Sequence, residues 1–268
     1  MLEKLSLKNK TIVITGGGTG LGKEMCLAMA RAGADLVIAA RRLEPIKEVS
    51  KLVQDLGRRS LAITTDATNT SDVKTLFETT LTEFGKVDAL FNNAGIVRED
   101  SPKPIWDIDD ESWRVGIEVN LSTAFYCSRE ISKHMAENGG GKIINIASGF
   151  GFRGGRDNYM YAAGKGGIVN LTRAMATSLG KYGITANCIV PGFIPTEISD
   201  PDSKRSKERG KFIPIGRVGK PSEMGPLAVY LASEASDYMN GAFFALDGGA
   251  LAGGIAPTLH APEIPLEI

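Results

Sequence analysis

The eight residues "TGGGTGLG" (Thr15–Gly22) follow the apolar run Thr11–Ile14 and precede a stretch patterned as a helix. Four of the first six are glycine, and so is the last. Glycine weakens a strand and a helix alike, so a turn this rich in it needs a bare backbone. A strand, a glycine-rich turn and a helix form a phosphate cradle. The backbone approaches a pyrophosphate closely, and the helix N-terminus adds amides and a positive dipole. The GxGxxG spacing fails, because Gly16 and Gly18 are followed by Leu21; the pattern that fits is TGxxxGxG, on Thr15, Gly16, Gly20 and Gly22.

Outward from this turn, short apolar runs alternate with longer helical patterns. Strands are expected at 11–15, 35–40, 60–65, 87–95, 141–148, 185–190 and 241–249. Helices are expected near 20–32, 43–56, 70–84, 111–137, 160–181 and 222–233. The strand runs are almost continuously hydrophobic, as parallel strands covered on both faces must be. The alternation predicts an α/β fold, a doubly wound, mostly parallel seven-stranded sheet with helices on both faces. No repeat or clear linker divides the 268 residues, so one domain is expected over 1–268.

Composition excludes several classes. Thirty-one basic residues balance thirty-one acidic ones, which gives no electrostatic case for nucleic acid or a membrane surface. Cys26, Cys127 and Cys188 are far apart and lack a CxxC pair, as expected of buried thiols in a reducing compartment. The charged start "MLEKLSLKNK" is unlike a signal peptide, and no apolar run approaches the ~18 residues of a membrane span. A cytoplasmic protein is expected. His134 and His260 stand in no triad or zinc-ligand context, so neither a serine hydrolase nor a metal site is expected.

Five further motifs accompany the glycine turn: "TTDAT" with Asp66, "NNAG" at 92–95, "EVNLS" with Asn120, "INIAS" with Ser148, and "YAAGK" with Tyr161 and Lys165. "PGFIPT" follows at 191–196. With these in order over roughly residues 7–249, the chain resembles the classical short-chain dehydrogenase/reductase family, single-domain Rossmann-like oxidoreductases that include 3-oxoacyl reductases and related ketoreductases. The resemblance implies a catalytic tetrad of Asn120, Ser148, Tyr161 and Lys165. It implies dinucleotide contacts from Gly16, Gly18, Thr19, Gly20 and Leu21 in the first turn. Asp66 and Ala67, then Asn93, Ala94 and Gly95, would flank the adenosine half. Pro191, Gly192, Ile194 and Thr196 would meet the nicotinamide, with Tyr161 and Lys165 also touching the cofactor.

The residues support that chemistry independently. Tyr161 and Lys165 are four apart and share a helix face, and no other of the six tyrosines has a lysine at that spacing. A free phenol, with a pKa of about 10, is too weak a base at neutral pH, and a nearby ammonium is expected to lower it. The resemblance implies that Tyr161 donates a proton to a carbonyl oxygen or removes one from an alcohol, and that Lys165 tunes Tyr161 and hydrogen-bonds the nicotinamide ribose. It further implies that Ser148 holds the substrate oxygen and that Asn120 positions a water linking Lys165 to solvent. A second-strand acid would favour NAD(H), but "VIAARRLEP" puts Ala40 there, followed by Arg41 and Arg42, a guanidinium pair suited to a 2′-phosphate. NADP(H) is therefore expected, with NAD(H) the alternative. The expected reaction interconverts a ketone and a secondary alcohol. The alternatives are an NAD-dependent secondary-alcohol or sugar dehydrogenase and a non-catalytic dinucleotide sensor. An enoyl reductase is disfavoured, since members that reduce double bonds space their tyrosine and lysine further apart.

Around the substrate, "GFGFRGGRDNYMY" offers Phe150, Phe152, Arg153 and Arg156, and Phe193 offers a wall. The polar stretch 197–211 lacks a strong period and reads as a mobile insertion, with a substrate lid expected over 197–215. Residues 250–268 form an apolar, proline-bearing extension, expected to run along a subunit interface. The partners expected are a small carbonyl or alcohol substrate and further copies of the chain, as a homotetramer or homodimer.

Overall fold

The computed structural model describes residues 2–95, 103–155, 158–196 and 203–253. Arg156 and the extension beyond 253 lie outside the described residues. Seven strands form one sheet: β1 (Thr11–Thr15), β2 (Asp35–Ala40), β3 (Ser60–Thr64), β4 (Ala89–Asn92), β5 (Gly141–Ile146), β6 (Ile184–Pro191) and β7 (Phe243–Leu246). Their order is β3-β2-β1-β4-β5-β6-β7, and every neighbouring pair is parallel. The chain winds outward from β1 to β3 and then returns to place β4 on the other side of β1. Such a reversal opens a crevice at the carboxyl ends of the strands, where ligands bind in open α/β sheets.

The helices are α1 (Gly20–Arg31), α2 (Leu43–Asp55), α3 (Thr70–Phe84), α4 (Asp110–Ile117), α5 (Thr123–Glu137), α6 (Tyr159–Leu179), α7 (Lys204–Gly210) and α8 (Met224–Ala232). Alternation along β1 sorts the two cores. Ile12 and Ile14 pack with Met25 and Met29 of α1, Ile46 and Val49 of α2 and Leu231 of α8. Val13 faces the other layer, with Leu76 of α3, Ile131 of α5 and Met175 of α6. Burying such a side chain contributes roughly 1.5–3 kcal/mol, which is why both faces demand a nearly unbroken apolar strand. Cys26, Cys127 and Cys188 are free and buried, as expected.

Four strands stop short of the runs that predict them. β3, β4, β5 and β7 end at Thr64, Asn92, Ile146 and Leu246, and residues that follow each of them line the crevice. Two differences are larger. The single helix expected over 111–137 is broken by a π turn at Glu118–Ser122, a local widening that recurs at functional sites. Within it, the Asn120 amide donates to the Gly116 carbonyl at 3.0 Å. The insertion read as mobile and without a strong period contains α7, capped by Ser203, whose hydroxyl accepts from Ser206 N at 3.2 Å. Its buried residues are the small Ser206 and Gly210, so it carries no apolar stripe to betray it. Among the described residues no helix is long and apolar enough to cross a membrane.

Candidate active site

A cleft of roughly 1640 Å³ runs along the carboxyl edge of the sheet. That exceeds the ~300–1,000 Å³ of an ordinary small-ligand pocket and leaves room for a dinucleotide beside a substrate.

At one end lies the glycine turn. Gly16 and Gly20 adopt φ of +67° and +54°, the left-handed region that favours glycine. Gly22 is constrained differently: a Cβ there would lie 2.7 Å from Asn93 Nδ2 and 2.9 Å from Gly17 Cα, and closer still to the Gly16 carbonyl oxygen. The turn is laced to the end of β4. Asn93 Nδ2 donates to the carbonyls of Thr15 (3.1 Å) and Gly16 (2.9 Å), and the Thr15 hydroxyl accepts from the backbone N–H of Asn93 and Ala94. Asn93 lines the cleft, but these hydrogen bonds make its amide a support for the turn. Gly18, Thr19 and Gly20 line the cleft at the α1 N-terminus, so the cradle fits a pyrophosphate. Gly22→Ala is expected to destabilise the protein by ~1–3 kcal/mol and to weaken dinucleotide binding, measurable by urea unfolding and NADPH titration. Normal stability and affinity would show that the turn is not tightly packed.

Arg41 and Arg42, at the end of β2, line the same part of the cleft, and among the described residues neither forms an ion pair. Unpartnered guanidinium groups beside a phosphate cradle suit a further phosphate. Asp66 lies alongside, its Oδ1 accepting from Thr68 N at 3.0 Å and Thr68 Oγ1 at 2.7 Å. Ala67, Ala94, Gly95, Pro191, Gly192, Ile194 and Thr196 line the cleft as well, with Thr19 and Leu21. The fold thus brings together every dinucleotide-contact residue expected from the sequence.

The chemical groups converge beyond the ends of β4 and β5. Ser148 leaves β5 and caps the short turn Gly149–Gly151, its Oγ accepting from Phe150 N at 3.3 Å. Tyr161, in the first turn of α6, shares a hydrogen bond with Ser148. Lys165 is one turn further along and buried, and its Nζ donates to the Ile146 carbonyl at 2.8 Å. Asn120 does not line the cleft; it is buried behind it. A Cβ on Gly95 would come within 3.1 Å of Lys165 Nζ and 3.2 Å of Asn120 Oδ1, so that bare position is shared by both groups.

The electrostatics differ from expectation. Burial is the largest influence on the Tyr161 phenol and raises its pKa, while the Ser148 hydrogen bond pulls it down. Lys165 is not among the influences that set it. The ammonium lies 5.6 Å from the centre of the Tyr161 ring, and burial lowers its own pKa to about 8. The chain alone therefore holds Tyr161 as a neutral acid, the form needed to donate a proton.

Phe150 meets the Tyr161 ring edge-on at 6.2 Å, while Phe152 turns away to pack against Phe243. Two contributions escaped the sequence reading. Asp247 accepts from Gly249 N and Leu251 N, both at 2.8 Å, and backs Gly192, where a Cβ would lie 2.6 Å from Asp247 Cα. Its position before two glycines is the available signal, since aspartate commonly folds its own turn. The other is α7, whose Arg205 and Arg209 line the cleft. Among the described residues no group of three metal-ligating side chains occurs.

A family model described as Enoyl-(Acyl carrier protein) reductase matches residues 16–250. The 2-dehydro-3-deoxy-D-gluconate 5-dehydrogenase of Escherichia coli (strain K12) is 40% identical over 257 residues, covering 94% of this chain and 99% of that relative. The enzyme of the same name from Bacillus subtilis (strain 168) is 38% identical over 252 residues, covering 93% and 97%. A gluconate 5-dehydrogenase from Burkholderia cenocepacia J2315, solved in complex with NADP and tartrate, superposes with a TM-score of 0.87 at 32% identity, covering 94% of this chain and 99% of that one.

Proposed function

Because the chain belongs to the short-chain dehydrogenase/reductase family, oxidoreductases acting on hydroxyl and keto groups with a nicotinamide dinucleotide, we propose that it interconverts a ketone and a secondary alcohol with NADP(H), using Tyr161 as general acid and base. One observation carries the reading: Ser148, Tyr161 and Lys165 meet in the same cleft as the glycine turn and the Arg41–Arg42 pair.

The dinucleotide, when bound, supplies or accepts the hydride. The glycine turn and the α1 N-terminus would hold its pyrophosphate, and Arg41 and Arg42 its 2′-phosphate. In reduction, the Tyr161 hydroxyl donates its proton to the substrate oxygen, and the Ser148 hydroxyl fixes that oxygen by hydrogen bonding. Lys165 stabilises the phenolate left behind. Its Nζ and Asn120 Oδ1 both lie close to Gly95, a placement that supports a shared part for Lys165 and Asn120 in replacing the proton. In oxidation the same atoms act in reverse, with Tyr161 as base. The short Tyr161–Lys165 spacing argues against double-bond reduction.

The alternative is an NAD-dependent sugar or secondary-alcohol dehydrogenase; the gluconate names among the relatives favour its substrate, while the NADP in the Burkholderia cenocepacia structure speaks against its cofactor. A panel of cyclic ketones, 3-oxoacyl thioesters, sugar acids, steroids and aryl ketones, assayed with both cofactors, separates the readings. Turnover of a ketone with NADPH preferred supports the proposal; turnover confined to NAD(H) supports the alternative. Bound dinucleotide with no turnover anywhere would indicate a sensor. Arg41→Asp is expected to weaken NADPH binding at least about thirtyfold more than NADH binding, since it removes a charge-assisted contact and puts a carboxylate beside the phosphate. Equal effects on the two, measured by fluorescence titration, would mean that Arg41 does not read the 2′-phosphate.

A further inference from the structure

The substrate end of the cleft carries three arginines that proton and hydride transfer do not use. Arg205 and Arg209 are four residues apart on α7, so they share a helix face, and both line the cleft. The Arg209 guanidinium lies 4.1 Å from the centre of the Phe193 ring, on the loop that leaves β6. Arg153 lines the cleft from the loop after Ser148 and lies 5.8 Å from the centre of the Phe150 ring, itself edge-on to Tyr161. Phe193 and Phe150 thus each hold one of these cations against a ring.

Among the described residues none of the three arginines forms an ion pair. Nearby cations do: Lys211 pairs with Glu208 at 2.8 Å and Arg217 with Glu223 at 2.7 Å. Glu208, the acid between the two α7 arginines, is thereby directed to Lys211. The Asp247 carboxylate also lines the cleft, and its two oxygens accept from the backbone of Gly249 and Leu251. Burial, and then the charge of Arg205, act against the charge on Arg209. Two like charges at helical i,i+4 spacing are mutually unfavourable, and an anion between them reverses the sign.

We infer that the cleft is built for a substrate bearing a carboxylate, read by Arg205 and Arg209 of α7, with Arg153 lining the same cleft. This rests on the redox reading above and adds to it the substrate class and the residues that select it. A planar guanidinium takes a carboxylate through two parallel hydrogen bonds, a fit that a neutral amide or ester lacks. Carriage of the arginines on the insertion couples acid binding to the position of α7.

The test reads binding, so it does not depend on turnover. The full chain saturated with NADP⁺ is titrated calorimetrically with three matched pairs: 4-oxocyclohexanecarboxylate and its carboxamide, levulinate and its amide, and 2-dehydro-3-deoxy-D-gluconate and its methyl ester. The acid is expected to bind at least about tenfold more tightly than its neutral partner in one or more pairs. The Arg205→Gln/Arg209→Gln variant is expected to lose that preference while NADPH affinity stays unchanged. Arg205→Gln alone, at an exposed position, serves if the double variant folds poorly. Equal binding of acid and neutral partner in all three pairs would overturn the inference, as would a preference that survives the substitutions. A fall in NADPH affinity without loss of acid preference would also overturn it, by assigning the arginines to the cofactor's phosphates. Tight acid binding without reduction of any ketone would defeat the redox reading and leave this one standing.

Discussion

Replacing Tyr161 with phenylalanine is expected to lower turnover by ~10²–10⁴-fold and to leave NADPH binding close to normal. The ring packs against Phe150, and phenylalanine keeps that contact. Only the hydroxyl is lost, the group held beside Ser148 and kept protonated by burial. Steady-state reduction of the best ketone in the panel, with NADPH affinity measured alongside, checks this. Activity within threefold of the wild type would remove Tyr161 from the proton transfer.

Lys165→Ala is expected to be at least as damaging, and it adds a pH signature. Burial holds the Lys165 pKa at about 8, so its charge is complete well below that pH and is lost above it. If the ammonium stabilises the phenolate formed in reduction, kcat/KM for the ketone stays level at lower pH and falls as pH rises through about 8. The variant has no charge to lose, so its residual activity has no break there. Alcohol oxidation uses the phenolate as base, so its rate is expected to rise with pH below the phenol's elevated pKa. A break near pH 8 that persists in Lys165→Ala would assign it to another group.

The glycine turn was readable because its geometry admits few residues. Gly16 and Gly20 require positive φ, and the space at Gly22 is filled by backbone, so the loop is written in residue type. The seven strands were readable because two covered faces impose continuous apolar runs, as Ile12, Val13 and Ile14 show. Tyr161 and Lys165 were readable because helix geometry converts a spacing of four into a shared face. The π turn at Glu118–Ser122 was not, since it lies inside a continuous helical run and holds no glycine or proline to announce the change of backbone hydrogen bonding. Nor was α7, whose buried face is a serine and a glycine. The spacing of Tyr161 and Lys165 reports their proximity but not the burial that shifts both groups.

The central claim is that hydride and proton meet at a carbonyl in this cleft. The most direct measurement uses NADPH deuterated at its transferable position, with the best ketone in the panel, and locates the label in the product by NMR. The account predicts deuterium on the carbinol carbon of a secondary alcohol, in one configuration. Deuterium on a saturated carbon beside an intact carbonyl, or retained wholly in the dinucleotide, would contradict it.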